Sequence, residues 1–304
     1  MGYGSNVDAR GVQAVDAING VFGAHAGCRA AHAAGTVWRG TFAPSAEGSA
    51  LTRASWMHQP DVDATVRFSN ASGDPATPDG RVDFRGMAVK LAPADGSTTD
   101  LVASTLPCFA VRTPEGFVAL MEAIARGPHR GRRALSFLIR HRETWPLSWR
   151  AARMKPVPSY AHARYNGVHA FRWIDGDGRA RHVRYSWRPL AGERSLGRRA
   201  ARRREPDFLR REIAERVARE PVRFVLELQL AADGDRVADP TAIWPRRRPR
   251  VDAGTLEVGA AAPERDGPEL VFDPTRVTDG IEPSDDPILN FRPHAYAVSA
   301  ERRS

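Results

Sequence analysis

Apolar residues recur along this chain with two periods, and the two periods divide it into strands and helices. Thr36–Phe42 alternates, with Val37, Trp38 and Phe42, and predicts a strand. Val62–Ser69 predicts a second, ended by the turn-rich segment Asn70–Gly80. Val82–Leu91 and Asp100–Arg112 read as a third and a fourth. Gly167–Trp173 and His182–Trp187 flank Asp175-Gly176-Asp177-Gly178, a strong hairpin turn. Val222–Leu230 alternates again, and Thr255–Val258 gives one more short strand.

The helical period appears in five places. Val15, Ile18 and Phe22 mark an early helix within residues 8–34. Thr113-Pro114-Glu115-Gly116 starts a helix running through Ala125, because Thr caps and Pro suits a first turn. Residues 127–159 read as a helical, Arg/Trp-rich connection with Trp145 and Trp149 four apart. Over Pro206–Arg219, Phe208, Leu209, Ile213 and Val217 share a face. Asn290–Arg302 is helical in its second half. Arg236–Pro249 is a Pro/Trp/Arg loop. Glu264–Pro287 is irregular, but its Leu270, Val271, Phe272 and Ile281 suit a segment that wraps the fold. Strands in hairpin-like succession, interrupted by helices, predict an α+β chain whose antiparallel sheet of about eight strands closes into a barrel.

Composition narrows the class. The 304 residues suffice for one large domain or two small ones, and 42% hydrophobic with 27% charged residues is ordinary for a globular chain. There is no run of eighteen apolar residues, and Met1–Arg10 lacks the basic and apolar regions of a secretion signal. A cytoplasmic location and no membrane partner are the resulting expectations. Cys28 and Cys108 form no CxxC or CxxCH motif and read as inert thiols. All but Lys90 and Lys155 of the 45 basic residues are Arg, and the net charge is +9. The charge is densest over Arg126–Arg133 and Arg194–Arg211. These runs read as a solvated helical face and an Arg-rich turn. No zinc-finger spacing or aromatic RNA-binding run supports a nucleic-acid partner.

Two short stretches near opposite ends carry candidate chemistry. In Arg292-Pro293-His294-Ala295-Tyr296, an Arg precedes a Tyr by four residues, so the two share a helical face. A phenol is neutral at pH 7, and a nearby cation favours the phenolate that binds ferric iron. In Arg29-Ala30-Ala31-His32-Ala33-Ala34-Gly35, His32 could shuttle a proton near neutral pH. Alone, each is more simply a packed Tyr at a C-terminal helix and a structural histidine. His294 is a formal alternative ligand.

Further segments lie between them in a definite order. They are Val66-Arg67-Phe68-Ser69-Asn70-Ala71-Ser72-Gly73-Asp74, Asp83-Phe84-Arg85-Gly86-Met87-Ala88-Val89-Lys90, Asp100-Leu101-Val102 through Leu106-Pro107-Cys108-Phe109, and Asp239-Pro240-Thr241-Ala242-Ile243-Trp244-Pro245. With the two end motifs they resemble the haem catalases reduced to their core, the small catalase-related peroxidases. The resemblance implies one catalase-like haem-binding domain over 1–304, without the C-terminal helical domain of large catalases. It implies haem b, with Tyr296 as iron ligand and Arg292 favouring its phenolate. His32 would be the distal acid–base, oriented by Ser69, and Arg29, Arg67 and Arg303 would pair the haem propionates. Phe117 would stack on the porphyrin, and Thr105, beside Ser104, would stand where true catalases carry a distal Asn.

The implied activity is reduction of hydrogen peroxide or organic hydroperoxides by small organic electron donors through a ferryl intermediate, in a response to oxidative stress. The family's barrels associate, so a homodimer is implied. Thr105 lacks the fixed donor of an amide, which favours peroxidase over true catalase activity. The chain stops at Ser304, so the resemblance implies no NADPH site and a haem open to bulky reductants. Competing readings are a fatty-acid hydroperoxide isomerase or dehydratase, a weak true catalase and, from another class, a basic nucleic-acid-binding protein.

Overall fold

The structure, a computed structural model, describes residues 8–262 and 270–303. α1 (Ala9–Phe22) comes first, capped by the Asp8 carboxylate, which accepts from the amide of Arg10. β1 (Gly35–Pro44) and the single turn α2 (Ala46–Ser49) follow. A meander comes next: β2 (Val62–Asn70), β3 (Arg85–Ala92) and β4 (Thr99–Ser104). Three helices, α3 (Pro114–Ile124), α4 (Arg130–Arg140) and α5 (Trp145–Arg153), separate it from β5 (Tyr165–Asn166), β6 (Phe171–Ile174) and β7 (Ala180–Pro189). α6 (Arg198–Ala201) and α7 (Phe208–Val217) lead to β8 (Val222–Leu230) and β9 (Arg250–Ala261). β10 (Ile281–Pro283) and α8 (Pro287–Glu301) complete the order.

The ten strands among the described residues form one antiparallel sheet. β7 pairs with both β5 and β8, so the order β7-β5-β4-β3-β2-β1-β9-β8 returns to its start and eight strands close into a barrel. Closure leaves no edge on that ring. β6 and β10 extend outward from β7. The period of two sets the faces. Val62, Ala64, Val66 and Phe68 of β2 join Met87, Val89 and Leu91 of β3 in the core, with Phe224, Leu226 and Leu228 of β8. Phe68 stacks on Tyr160 at 5.3 Å, within a ring contact that includes Tyr165 and Phe224. Filling the barrel with the even-numbered residues of β2 turns Arg67 and Ser69 to its outer face. A slip of one residue would drive the Arg67 guanidinium into the apolar interior.

α1, α3 and α8 pack against one another. Ala14, Val118 and Phe291 meet at their junction, with Ala17, Phe117 and Ala295 packed against them. Gly11 of α1 is where the crossing is tightest, since a Cβ there would lie 2.8 Å from the carbonyl oxygen of His294. α7 lays Phe208, Leu209, Ile213 and Val217 on the other side of the barrel.

Several elements differ from the sequence reading. The strand expected over Asp100–Arg112 ends at Ser104, because its last partner is Asn166 and Pro107 has no amide to offer a ladder. The expected Val82–Leu91 strand begins at Arg85, and Gly167–Trp173 divides into β5 and β6. The short strand at Thr255–Val258 is the middle of β9, which runs twelve residues against both β1 and β8. Residues 127–159 hold two separate helices, joined by a 3-10 turn at Arg142–Thr144. The irregular stretch 264–287 contains β10 and the start of α8, and its residues up to 269 lie outside the described ones. α8 is helical from Pro287, because Asp286 caps it through the amides of Ile288 and Leu289, and it continues through Pro293.

Candidate active site

The head of the chain reaches the outer face of the barrel between α1 and β1. His32 sits there at φ 59, in the left-handed region. Holding a non-glycine residue there costs on the order of 1–2 kcal/mol. Flanking backbone bonds fix it: the amide of His32 donates to Ala71 O at 3.1 Å, Ala33 to Ser72 O at 2.9 Å, and Asn70 to Ala34 O at 3.0 Å. These bonds carry the β1–β2 ladder past Gly35↔Ser69. Gly73 lets the two segments approach, because a Cβ at that position would fall 1.9 Å from Ala30 O.

The His32 Nδ1 lies 3.0 Å from Ser69 Oγ, and Phe84 meets the ring edge-on at 5.7 Å. Gly86 makes the first contact possible. It pairs with Ser69 across the β2–β3 ladder, and a Cβ on it would lie 2.8 Å from both His32 Nδ1 and Ser69 Oγ. His32 is half-exposed by surface area, yet enough protein surrounds its ring for burial to dominate its titration. Burial, then the positive charges of Arg67, Arg292 and Arg29, push its pKa down to about 3. The imidazole is therefore neutral at physiological pH.

The tail of the chain supplies a second group. On α8, Arg292 Nε donates to Tyr296 Oη at 2.9 Å, and Arg292 Nη2 donates to the same oxygen. The guanidinium also lies over the Tyr296 ring, 5.3 Å from its centre. Its third nitrogen, Nη1, donates to His169 Nε2 at 3.0 Å, and His169 Nδ1 lies 2.6 Å from Asp286 Oδ2. Because Nε2 accepts from Arg292, the His169 proton sits on Nδ1 and points at the Asp286 carboxylate. Burial lowers the His169 pKa, so this neutral tautomer is the stable form. Asp286 thus caps α8 and begins a chain through His169 and Arg292 to Tyr296. His169 and Asp286 are buried, and sequence reasoning missed both. Asp286-Pro287 carried a helix-start signal that could have flagged the cap. His169 had none, since its partners lie 117 and 123 residues away.

The remaining sequence candidates make contacts of their own. Arg67 is 4% exposed and reaches Ala33 O from its Nη2, while Arg29 Nη2 donates to Leu270 O at 2.6 Å. The amide of Ala30 reaches Ser299 Oγ on α8 at 3.4 Å, tying the head segment to the helix that carries Tyr296. Arg303 follows the end of α8, its amide bonded to Ala300 O. Phe117 of α3 lies 5.9 Å from Phe109, whose ring is 6.3 Å from that of His169. Thr105 is bonded both ways to Arg85: its amide donates to Arg85 O, and its Oγ1 accepts from Arg85 N at 3.0 Å. Its hydroxyl proton remains available to an acceptor. His294 faces away from Arg292, with its Nδ1 3.9 Å from the Asp8 carboxylate and its side chain 43% exposed.

The bond from Ala30 to Ser299 thus joins the segment that carries His32 to the helix that carries Arg292 and Tyr296. Comparison with known proteins gives the family. A family model described as Catalase matches residues 21–304. The chain belongs to the catalase family. It is 44% identical to a catalase-related peroxidase of Mycolicibacterium paratuberculosis (strain ATCC BAA-968 / K-10), over 96% of this chain and 94% of that protein. It is 32% identical to one of Synechococcus elongatus (strain ATCC 33912 / PCC 7942 / FACHB-805), over 96% and 88%. Against Catalase-2 of Bacillus subtilis (strain 168) it is 28% identical, over 88% of this chain but 42% of the relative. The catalase-family barrel found here thus spans most of the small relatives and under half of the large one.

Proposed function

We propose that the chain is a haem-dependent peroxidase that reduces hydrogen peroxide or organic hydroperoxides with small organic electron donors, using haem b held between His32 and Tyr296. The observation that carries this reading is the meeting of chain ends, in which the segment that carries His32 is bonded to the helix that holds Arg292 on Tyr296 Oη. The donor set fits the group. Tyr296 Oη accepts two N–H bonds from the Arg292 guanidinium, and a tyrosine oxygen is a donor suited to ferric haem iron. Arg29 and Arg67, both acting on His32, bring positive charge for the carboxylates of a porphyrin. The 44% and 32% identical relatives carry the name catalase-related peroxidase.

Haem, when bound, supplies the iron that cleaves the peroxide bond and stores the oxidising equivalents. The protein's part is proton handling and orientation. In the tautomer this chemistry needs, His32 Nδ1–H donates to Ser69 Oγ, 3.0 Å away, which leaves the Nε2 lone pair for the peroxide. With haem bound, Nε2 would take one proton of the peroxide and return it to the departing oxygen, so that the product leaves as water or alcohol. The depressed pKa of His32 keeps that lone pair available without a prior deprotonation. Thr105 offers its hydroxyl to the peroxide, and Phe117 covers the ring. Asp286 and His169 hold the guanidinium of Arg292 on Tyr296.

Turnover tests the reading. Haem-replete protein should oxidise a small phenol with hydrogen peroxide or an organic hydroperoxide, with little oxygen release. Epoxide formation from a fatty-acid hydroperoxide without a donor, or vigorous oxygen release, would replace the reading with an isomerase or a true catalase. Gly86→Ala should keep haem but slow the reaction with peroxide roughly 10- to 100-fold, because the new Cβ separates His32 from Ser69. Stopped-flow absorption checks this, and an unchanged rate would remove Ser69 from the mechanism.

A further inference from the structure

Of the large apolar side chains exposed among the described residues, Leu135, Ile139, Trp145 and Trp149 cluster on α4 and α5, each between 52% and 62% exposed. Leu135 and Ile139 are one turn apart on α4, and Trp145 and Trp149 are one turn apart on α5. α4 packs inward through Phe137, in a cluster with Val111, Ala123 and Ile288 against which Phe109 and Phe117 rest. α5 has no buried residue at all. The Trp145 indole donates to Leu138 O at 2.7 Å, which fixes α5 beside the end of α4. The fold holds both helices in place and covers neither apolar row.

Charge surrounds those rows. Residues 126–155 hold eight Arg and Lys155 against one acid, Glu143, a net of +8 in a chain whose total is +9. Glu143 is engaged by His141 at 3.0 Å. Arg153 lies 3.8 Å over the Trp149 ring, and Arg142 5.7 Å from that of Trp145. An apolar row alone would accept many partners. An apolar row within this density of guanidinium selects one that offers hydrocarbon beneath a negative surface. A second copy of the chain would bring the same positive face and repel it. A nucleic acid answers the arginines but gives Leu135 and Ile139 nothing to enter.

We propose that the outer face of α4 and α5 docks the protein onto an anionic lipid surface, with Leu135, Ile139, Trp145 and Trp149 entering the headgroup layer and the flanking arginines pairing lipid phosphates. Indole rings favour that layer, because it is apolar on one side and wet on the other. No helix among the described residues is long and apolar enough to cross a membrane, so the contact is peripheral. The Arg-rich run that reads from sequence as a solvated face acquires a partner.

Sedimentation of the haem-replete protein with vesicles tests this. Binding should appear with phosphatidylglycerol-containing vesicles, be weak with phosphatidylcholine alone, and fall as salt rises. Trp145→Ser with Trp149→Ser should lower the partition about tenfold or more, with the haem spectrum unchanged. Arg140→Ser with Arg142→Ser, which leaves the indoles in place, should lower it and flatten the salt dependence. Equal binding to neutral and anionic vesicles overturns the proposal, as does binding that survives both pairs of substitutions. Absence of vesicle binding together with patch-dependent duplex DNA binding or self-association assigns the face to those partners and overturns it too.

Discussion

Tyr296→Phe is expected to weaken haem binding by more than about a hundredfold. Removing a partner that merely orients a metal ligand costs about 10- to 100-fold in affinity, and this change removes the proposed ligand itself. The ring stays, so α8 keeps its packing. Arg292 Nε and Nη2 lose their acceptor, which adds about 1–3 kcal/mol of destabilisation in the protein without haem. Haem titration, and transfer of haem to a scavenging protein, measure the loss. An unchanged ferric spectrum would move the ligand to His294 or Cys28. The geometry speaks against His294, whose imidazole turns to Asp8 at the surface.

His32→Ala is expected to keep haem and slow the reaction with a peracid about 10²- to 10⁴-fold, the usual contribution of a positioned acid–base. Stopped-flow absorption at a fixed peracid concentration reads this directly, and an unchanged rate would remove His32 from the proton path. The wild-type rate should be insensitive to His32 ionisation across neutral pH and fall only as pH approaches about 3, where the imidazole protonates. Stability follows the same group with a definite sign. Its pKa is about 3 in the folded protein against the ordinary 6.5 of a histidine in the unfolded chain, so between these values the unfolded chain holds a proton that the folded one does not. The contribution is complete above pH 6.5 and is lost as pH falls toward 3. His32→Ala should therefore flatten the acid side of the stability curve in that window.

Local signals carried most of the fold. The alternation of Val222–Leu230 gave β8 with its bounds, Thr113-Pro114 gave the start of α3, and the face of Phe208, Leu209, Ile213 and Val217 gave α7. Signals that depend on partners far along the chain were missed. β9 reads as a short strand because Asp252 and Gly254 precede Thr255–Val258 and Gly259 follows it, and only pairing to β1 and β8 reveals its length. The first half of α8 is obscured by Arg292 and Pro293, and its existence depends on the Asp286 cap. The site divides the same way. His32, Ser69, Arg292 and Tyr296 stood in short motifs, and the structure brings each pair into hydrogen-bonding distance. The left-handed backbone of His32, the need for glycine at Gly86 and the link from Asp286 through His169 to Arg292 are three-dimensional facts without a local pattern.

The central claim is that Tyr296 grips a porphyrin iron through its phenol oxygen while His32 faces it from the other side. Resonance Raman spectroscopy of the ferric, haem-replete protein, made with and without ring-deuterated tyrosine, tests it most directly. The expected result is a set of iron–phenolate bands that shift with the label and vanish in Tyr296→Phe. Bands of an imidazole- or thiolate-ligated haem, indifferent to the label, would contradict it.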